Sequence, residues 1–99
     1  MDDFADAVLD VVERIPAGLV LAYGDVAEYL NRGGPRQVGR VMALYGGGVP
    51  WWRVCHADGT PALAEDGRAL RLLRREDTPL RGSRVDMRRA RWDGDLQSR

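Results

Sequence analysis

The break between two short apolar-striped segments constrains this chain most. Val26, Ala27 and Leu30 form one stripe, and Val38, Val41, Met42 and Tyr45 form another. Their three- and four-residue spacing predicts helices from about Gly24 to Leu30 and from Pro35 to Tyr45. Asn31-Arg32-Gly33-Gly34 between them is a turn, Pro35 suits a first helical position, and Gly46-Gly47-Gly48 ends the second helix. Two short helices joined by a tight glycine-containing turn predict a helix-turn-helix, here with a basic second helix.

The flanking segments predict the rest of the domain. Phe4, Ala5, Val8, Leu9, Val12 and Ile15 recur at helical spacing, with acids between them, until Pro16-Ala17-Gly18 stops the helix. Val49-Pro50-Trp51-Trp52-Arg53-Val54-Cys55 is apolar and β-prone, and Asp58-Gly59 is a hairpin-turn signal, together predicting a wing. Asp66 is placed to cap a helix holding Ala69, Leu70, Leu72 and Leu73, and Val85-Asp86-Met87 reads as a short strand. The expected fold class is α+β, a small winged helix-turn-helix-like domain, mostly helical with a short β-hairpin wing. Residues 1–92 are expected to form one domain and 93–99 a polar, frayed tail.

Charge and residue inventory narrow the function. Residues 1–30 hold seven acids against Arg14, and residues 31–99 hold the other 14 Arg against eight acids, so the two parts carry −6 and +6. From Arg32 to Arg53 there are four Arg and no acid. A locally basic surface on a neutral chain is what a polyanion binder presents, although a solvated surface has the same composition. Arg91 reads as such a solvated charge. One cysteine and one histidine exclude a disulfide framework and leave too few ligands for a metal site, and no cofactor is expected. The acidic start, Met1-Asp2-Asp3-Phe4, is unlike a signal peptide, and no apolar run approaches the roughly 20 residues of a membrane span. Cys55 and His56 are adjacent, but neighbours in an extended segment point to opposite faces. Cys55 therefore reads as a buried hydrophobe, and His56 as a wing residue either solvated or touching phosphate.

Four segments in register resemble the alkyltransferase-like proteins, non-enzymatic relatives of the DNA-binding domain of O6-alkylguanine-DNA alkyltransferase. They are Ile15-Pro16-Ala17-Gly18, Tyr23-Gly24-Asp25-Val26-Ala27, Arg36-Gln37-Val38-Gly39 and Val49-Pro50-Trp51-Trp52-Arg53-Val54. The resemblance covers about residues 4–77. In the true alkyltransferases the last motif reads Pro-Cys-His-Arg-Val. The cysteine accepts the alkyl group, and the histidine helps a glutamate activate it through water. Here Trp51 and Trp52 stand at those two positions, and Glu76 matches the glutamate with no thiol to serve. A thiol needs its proton removed before it attacks, so the transfer cannot run in its usual form.

The resemblance implies a role for each site residue. Tyr23 pushes on the phosphate beside the target and rotates the nucleotide outward. Arg36 enters the stack as a finger, a task suited to a planar, many-donor guanidinium. Gly34, Pro35, Gln37, Gly39 and Arg40 belong to a slim helix that enters the minor groove. Trp51, Trp52, Val54 and Glu76 form the lesion pocket, where an indole stacked on a base contributes about 1–3 kcal/mol. The chain departs from the family at Trp52, at Ala22, which forgoes a side-chain helix cap worth about 1 kcal/mol, and at Ala64, where an Arg can contact the lesion base.

The implied partners are double-stranded DNA containing O6-alkylguanine and the damage-recognition proteins of nucleotide excision repair, for a monomer with no membrane contact. The implied location is the bacterial cytoplasm, associated with the nucleoid. The alternatives from the residues alone are a helix-turn-helix transcription regulator reading undamaged DNA, a residual transferase acting through Cys55, and a purely structural domain.

Overall fold

The computed structural model describes residues 2–95. Helix α1 spans Asp3–Arg14, where Asp2 Oδ1 accepts from the Ala5 N–H at 2.7 Å and Asp3 and Asp6 sit at the positive end of the helix. Strand β1 is Leu21–Ala22, followed directly by α2 over Tyr23–Leu30 and, after the turn, α3 over Pro35–Tyr45. The turn is held against α1: Gly33 has φ +66°, and a Cβ there would lie 3.0 Å from the Phe4 ring. Only glycine satisfies both demands. Ala5, Val8, Val12 and Ile15 meet Val26, Ala27, Val38 and Val41 in one core, joined by Leu21, Val54 and Trp92. The expected helix-turn-helix is present because each helix buries one apolar stripe against the other two.

The wing region differs from the expectation. The segment from Val49 to Cys55 is not one strand: Gly46–Gly48 and Trp51–Arg53 are single 3-10 turns, and only Val54–Cys55 forms strand β2. Pro50 has no N–H to donate, and the Trp51 N–H folds back onto the Val49 carbonyl at 2.7 Å, so this stretch cannot build a ladder. β2 instead pairs in parallel with β1, Leu21 opposite Val54 and Ala22 opposite Cys55. The Asp58-Gly59 turn does reverse the chain, but through an isolated antiparallel bridge, Cys55 to Pro61, rather than a two-stranded wing.

The C-terminal third forms a second layer. Helix α4 covers Arg68–Arg75. Its N-cap is Gly67 in the left-handed conformation rather than Asp66, whose Oδ1 nonetheless accepts from the Arg68 N–H at 3.0 Å. Strands β3 (Leu80–Arg81) and β4 (Arg84–Val85) make a tight antiparallel hairpin, and α5 spans Met87–Ala90. The strand expected over 85–87 therefore ends at Val85, because Met87 opens a helix whose first carbonyl acceptor is Asp86. Val20, Cys55, Leu73, Val85 and Ala90 pack as a smaller core under this layer. The Trp92 N–H donates to the Val20 carbonyl at 2.8 Å, which ties the chain's last described segment to the residue before β1. Of the tail expected over 93–99, residues 96–99 lie outside the described residues, and Gly94 packs against the Tyr29 ring.

Candidate nucleic-acid interface

Tyr23 sits at the junction of β1 and α2, placed by a half-complete cap. Ala22 has no side-chain oxygen to offer, but Asp25 Oδ2 accepts from the Ala22 N–H at 2.9 Å and from Arg91 Nε at 3.0 Å. Arg91 is therefore an anchor for the start of α2 and not the free surface charge its sequence context suggests. The Tyr23 ring lies against His56, with centroids 5.1 Å apart. Burial first, and Cys55 second, push the Tyr23 hydroxyl above its ordinary 10.0, so it stays a hydrogen-bond donor at neutral pH.

A cavity of about 450 Å³ opens beside Tyr23. Its walls include Gly39, Met42, Trp51, Leu63 and Arg68. Gly39 faces it from α3; a Cβ there would meet Tyr23 at 4.0 Å, an ordinary contact, so helix packing does not demand glycine at this place. Trp51 forms one wall with Arg68 stacked 5.5 Å from its ring centre and Trp52 edge-on at 5.9 Å. Indole, phenol and guanidinium surfaces around an opening can receive a planar aromatic ring.

Of the four residues expected to form the pocket, Trp51 alone lines this cavity, where it meets Tyr23 and Gly39, which were expected in other roles. Val54 is fully buried in the main core. Trp52 packs behind the cavity on the smaller core, and its ring lies 5.5 Å from the Arg53 guanidinium. Glu76 accepts from Arg53 Nε at 3.1 Å and 3.2 Å and also from Nη2, while Arg53 Nη1 donates to the Ile15 carbonyl at 2.8 Å. Burial alone would raise the Glu76 carboxyl. The Arg53 hydrogen bonds outweigh it and hold the carboxyl below its ordinary 4.5, with help from the Gly18 N–H. The Trp52 side chain lowers it further, more than Gly18 does, although its buried Nε1 forms no hydrogen bond of strict geometry among the described residues. Glu76 thus joins α4 to α1 and the segment before β2.

On α3, Arg36, Gln37 and Arg40 are exposed, and among the described residues Arg36 and Arg40 make no ion pair. Pro35 occupies the first turn, and Gln37 Oε1 accepts from the Gly34 N–H at 3.0 Å, closing the helix start. Ala64 is exposed in a short 3-10 turn. Sequence reasoning missed Met42 as a wall, having placed it in a core stripe, and missed Leu63 and Arg68 entirely. Leu63 reaches the cavity from a left-handed backbone conformation, which no local signal announces in a leucine.

The fourth motif carries no reactive sulfur. Cys55 is fully buried, its thiol pushed up to about 12 by burial, with Asp25 and Asp58 adding and Arg91 opposing. Its Sγ faces the Met87 sulfur at 3.7 Å. A thiol so placed is neither ionised nor accessible, which removes the physical basis of a transferase acting through Cys55.

The three-helix core, the basic outer face of α3 and the aromatic cavity define a helix-turn-helix-like domain of the DNA-binding class. The chain belongs to the family of the 6-O-methylguanine DNA methyltransferase DNA-binding domain, whose profile matches residues 3–78. It is 37% identical over 100 residues to the DNA base-flipping protein of Escherichia coli (strain K12), covering 93% of this chain and 76% of that protein. It is 41% identical over 63 residues to Alkyltransferase-like protein 1 of Schizosaccharomyces pombe, covering 61% of this chain and 58% of that one. The fold superimposes on the crystal structure of S. pombe Atl1 in complex with damaged DNA containing O6-carboxymethylguanine. The TM-score is 0.80 at 30% identity, over 94% of this chain and 97% of that chain.

Proposed function

We propose that this chain recognises O6-alkylguanine in duplex DNA by rotating the nucleotide out of the helix and holding it, without removing the alkyl group. The observation that carries this is the cavity that joins Tyr23, Gly39 and Trp51; the motif resemblance puts the Trp51 indole where transfer chemistry needs a thiol. In this reading α3 enters the minor groove with Arg36 and Arg40 toward the backbone and base stack. Tyr23 presses on the adjoining phosphate through its protonated hydroxyl. Arg36 fills the vacated stack, and the base lies against Trp51. Stacking of about 1–3 kcal/mol per base offsets the few kcal/mol spent on unstacking the target.

Residues 1–92 act as one monomeric domain in this reading, and the held lesion serves as a flag for nucleotide excision repair. The relatives named for base flipping, and one solved on damaged DNA, support this reading over a regulator of undamaged sequence. The test is a titration of two duplexes identical but for one O6-methylguanine, followed by mass spectrometry of the protein. The expected result is tighter binding to the modified duplex with the protein mass unchanged. Equal affinity for both duplexes, or a gain of one methyl group, refutes the reading.

A further inference from the structure

The β3–β4 hairpin carries an arrangement that costs stability and is unused by the base-holding cavity. Arg81 and Arg84 are directly opposite each other across the two strands. Like charges at cross-strand positions destabilise a hairpin, and both side chains are exposed. Arg88, in the first turn of α5, lines the same groove of about 480 Å³. Two carboxylates also border it. Asp58 meets Arg84 only at 3.9 Å with both side chains more than half exposed, a weak pair, and Asp86 makes no ion pair among the described residues. Arg81 and Arg88 are likewise without an ion pair among the described residues.

The groove is joined to the cavity through the turn after β2. Gly59, at φ +90°, packs so closely on β4 that a Cβ would lie 2.2 Å from the Val85 oxygen, and the Val85 N–H donates to the Gly59 carbonyl at 2.8 Å. The same turn carries His56, whose ring rests on Tyr23. The wing turn thus connects the nucleotide-rotating tyrosine to a separate cluster of three guanidiniums.

From this geometry we infer that Arg81, Arg84 and Arg88 form a second phosphate-binding site, which takes the sugar–phosphate backbone of the duplex beyond the wing turn. This rests on the proposed DNA-holding function and extends its footprint. A phosphodiester between Arg81 and Arg84 relieves their repulsion, and guanidinium forks match phosphate oxygens. Such contacts position a protein on DNA without reading sequence or damage.

The experiment uses the double variant Arg81→Gln/Arg88→Gln and, as a control of equal charge change, Arg74→Gln/Arg75→Gln on the exposed face of α4. Binding to a duplex two helical turns long is measured across a salt series, with and without O6-methylguanine. The groove variant is expected to lower the slope of log K against log salt by about 2. It should weaken binding to both duplexes by the same factor and melt no earlier than wild type. A slope equal to wild type overturns the site. An equal drop in the control shows a loss of net charge only and also overturns it. A wild-type protein that binds both duplexes equally refutes lesion recognition, yet leaves the groove to be judged on its slope. Failure of wild type to bind any duplex overturns both.

Discussion

Replacing Glu76 separates a structural carboxylate from a ligand-binding one. Its side chain and that of Arg53 are only 15% and 16% exposed, and their fork links α4 to the segment before β2. Glu76→Ala leaves the Arg53 guanidinium without its counter-charge, although Nη1 keeps the Ile15 carbonyl. Removing one partner of a buried pair costs about 3–5 kcal/mol, and this pair retains some solvent, so about 3 kcal/mol is expected. In a domain of this size each kcal/mol moves the melting temperature by roughly 4–8 °C, giving a fall of roughly 12–24 °C. Glu76→Gln keeps the shape and one acceptor and should cost about half as much.

The pH dependence supplies an independent check. The folded carboxyl is depressed below its ordinary 4.5. Its contribution is therefore fully present above the unfolded value and is lost as pH falls through the folded one. The stability gap between wild type and Glu76→Gln should be constant near neutrality and close in acid, as followed by calorimetry. A gap unchanged into strong acid, or a Glu76→Ala loss below about 1 kcal/mol, refutes the pairing argument. Unchanged melting with abolished DNA binding would place the carboxylate in the ligand site instead.

Four further outcomes are expected. Trp51→Ala should weaken binding of an O6-methylguanine duplex by about 1–3 kcal/mol while plain duplex binding barely changes, as read by fluorescence anisotropy. Arg36→Ala should weaken lesion binding more than Arg75→Ala, and equal losses with folding intact would remove the finger role; Arg91 is unsuitable as the control because it holds Asp25. Trp51→Cys should not acquire rapid alkyl transfer from a labelled duplex, since Trp52 supplies no proton relay and an ordinary thiol is only a few per cent ionised at neutral pH. Cys55 in the folded protein should resist iodoacetamide at neutral pH and react promptly in denaturant, given a thiol pushed up to about 12 and fully buried.

The first three helices were legible because their causes are local. Periodic stripes, Pro35 at a helix start and the glycines that end α3 all act within a few residues of where they stand. The strand expected through Trp51-Trp52 does not form, and the Asp58-Gly59 reversal is held by one bridge, Cys55 to Pro61. β-propensity reflects packing on a pleated surface, and here Pro50 and the tight Val49–Trp51 turn denied the backbone a partner. Tyr23, Gly39 and Trp51 were found through a motif resemblance, and their meeting in one cavity depends on β1 pairing with β2 across the fold.

What the sequence determined by itself is therefore the three-helix core, the basic character of α3 and the absence of a thiol from the fourth motif. Tertiary structure alone decided that Glu76 serves Arg53, twenty-three residues away, that Trp52 packs behind the cavity, and that Arg68 stacks on Trp51. The physical reason is range. A helix forms from interactions three or four residues apart, which a linear pattern displays. An ion pair, a stacked cation or a cavity wall forms wherever close packing brings distant groups together, and a linear pattern carries no record of that distance.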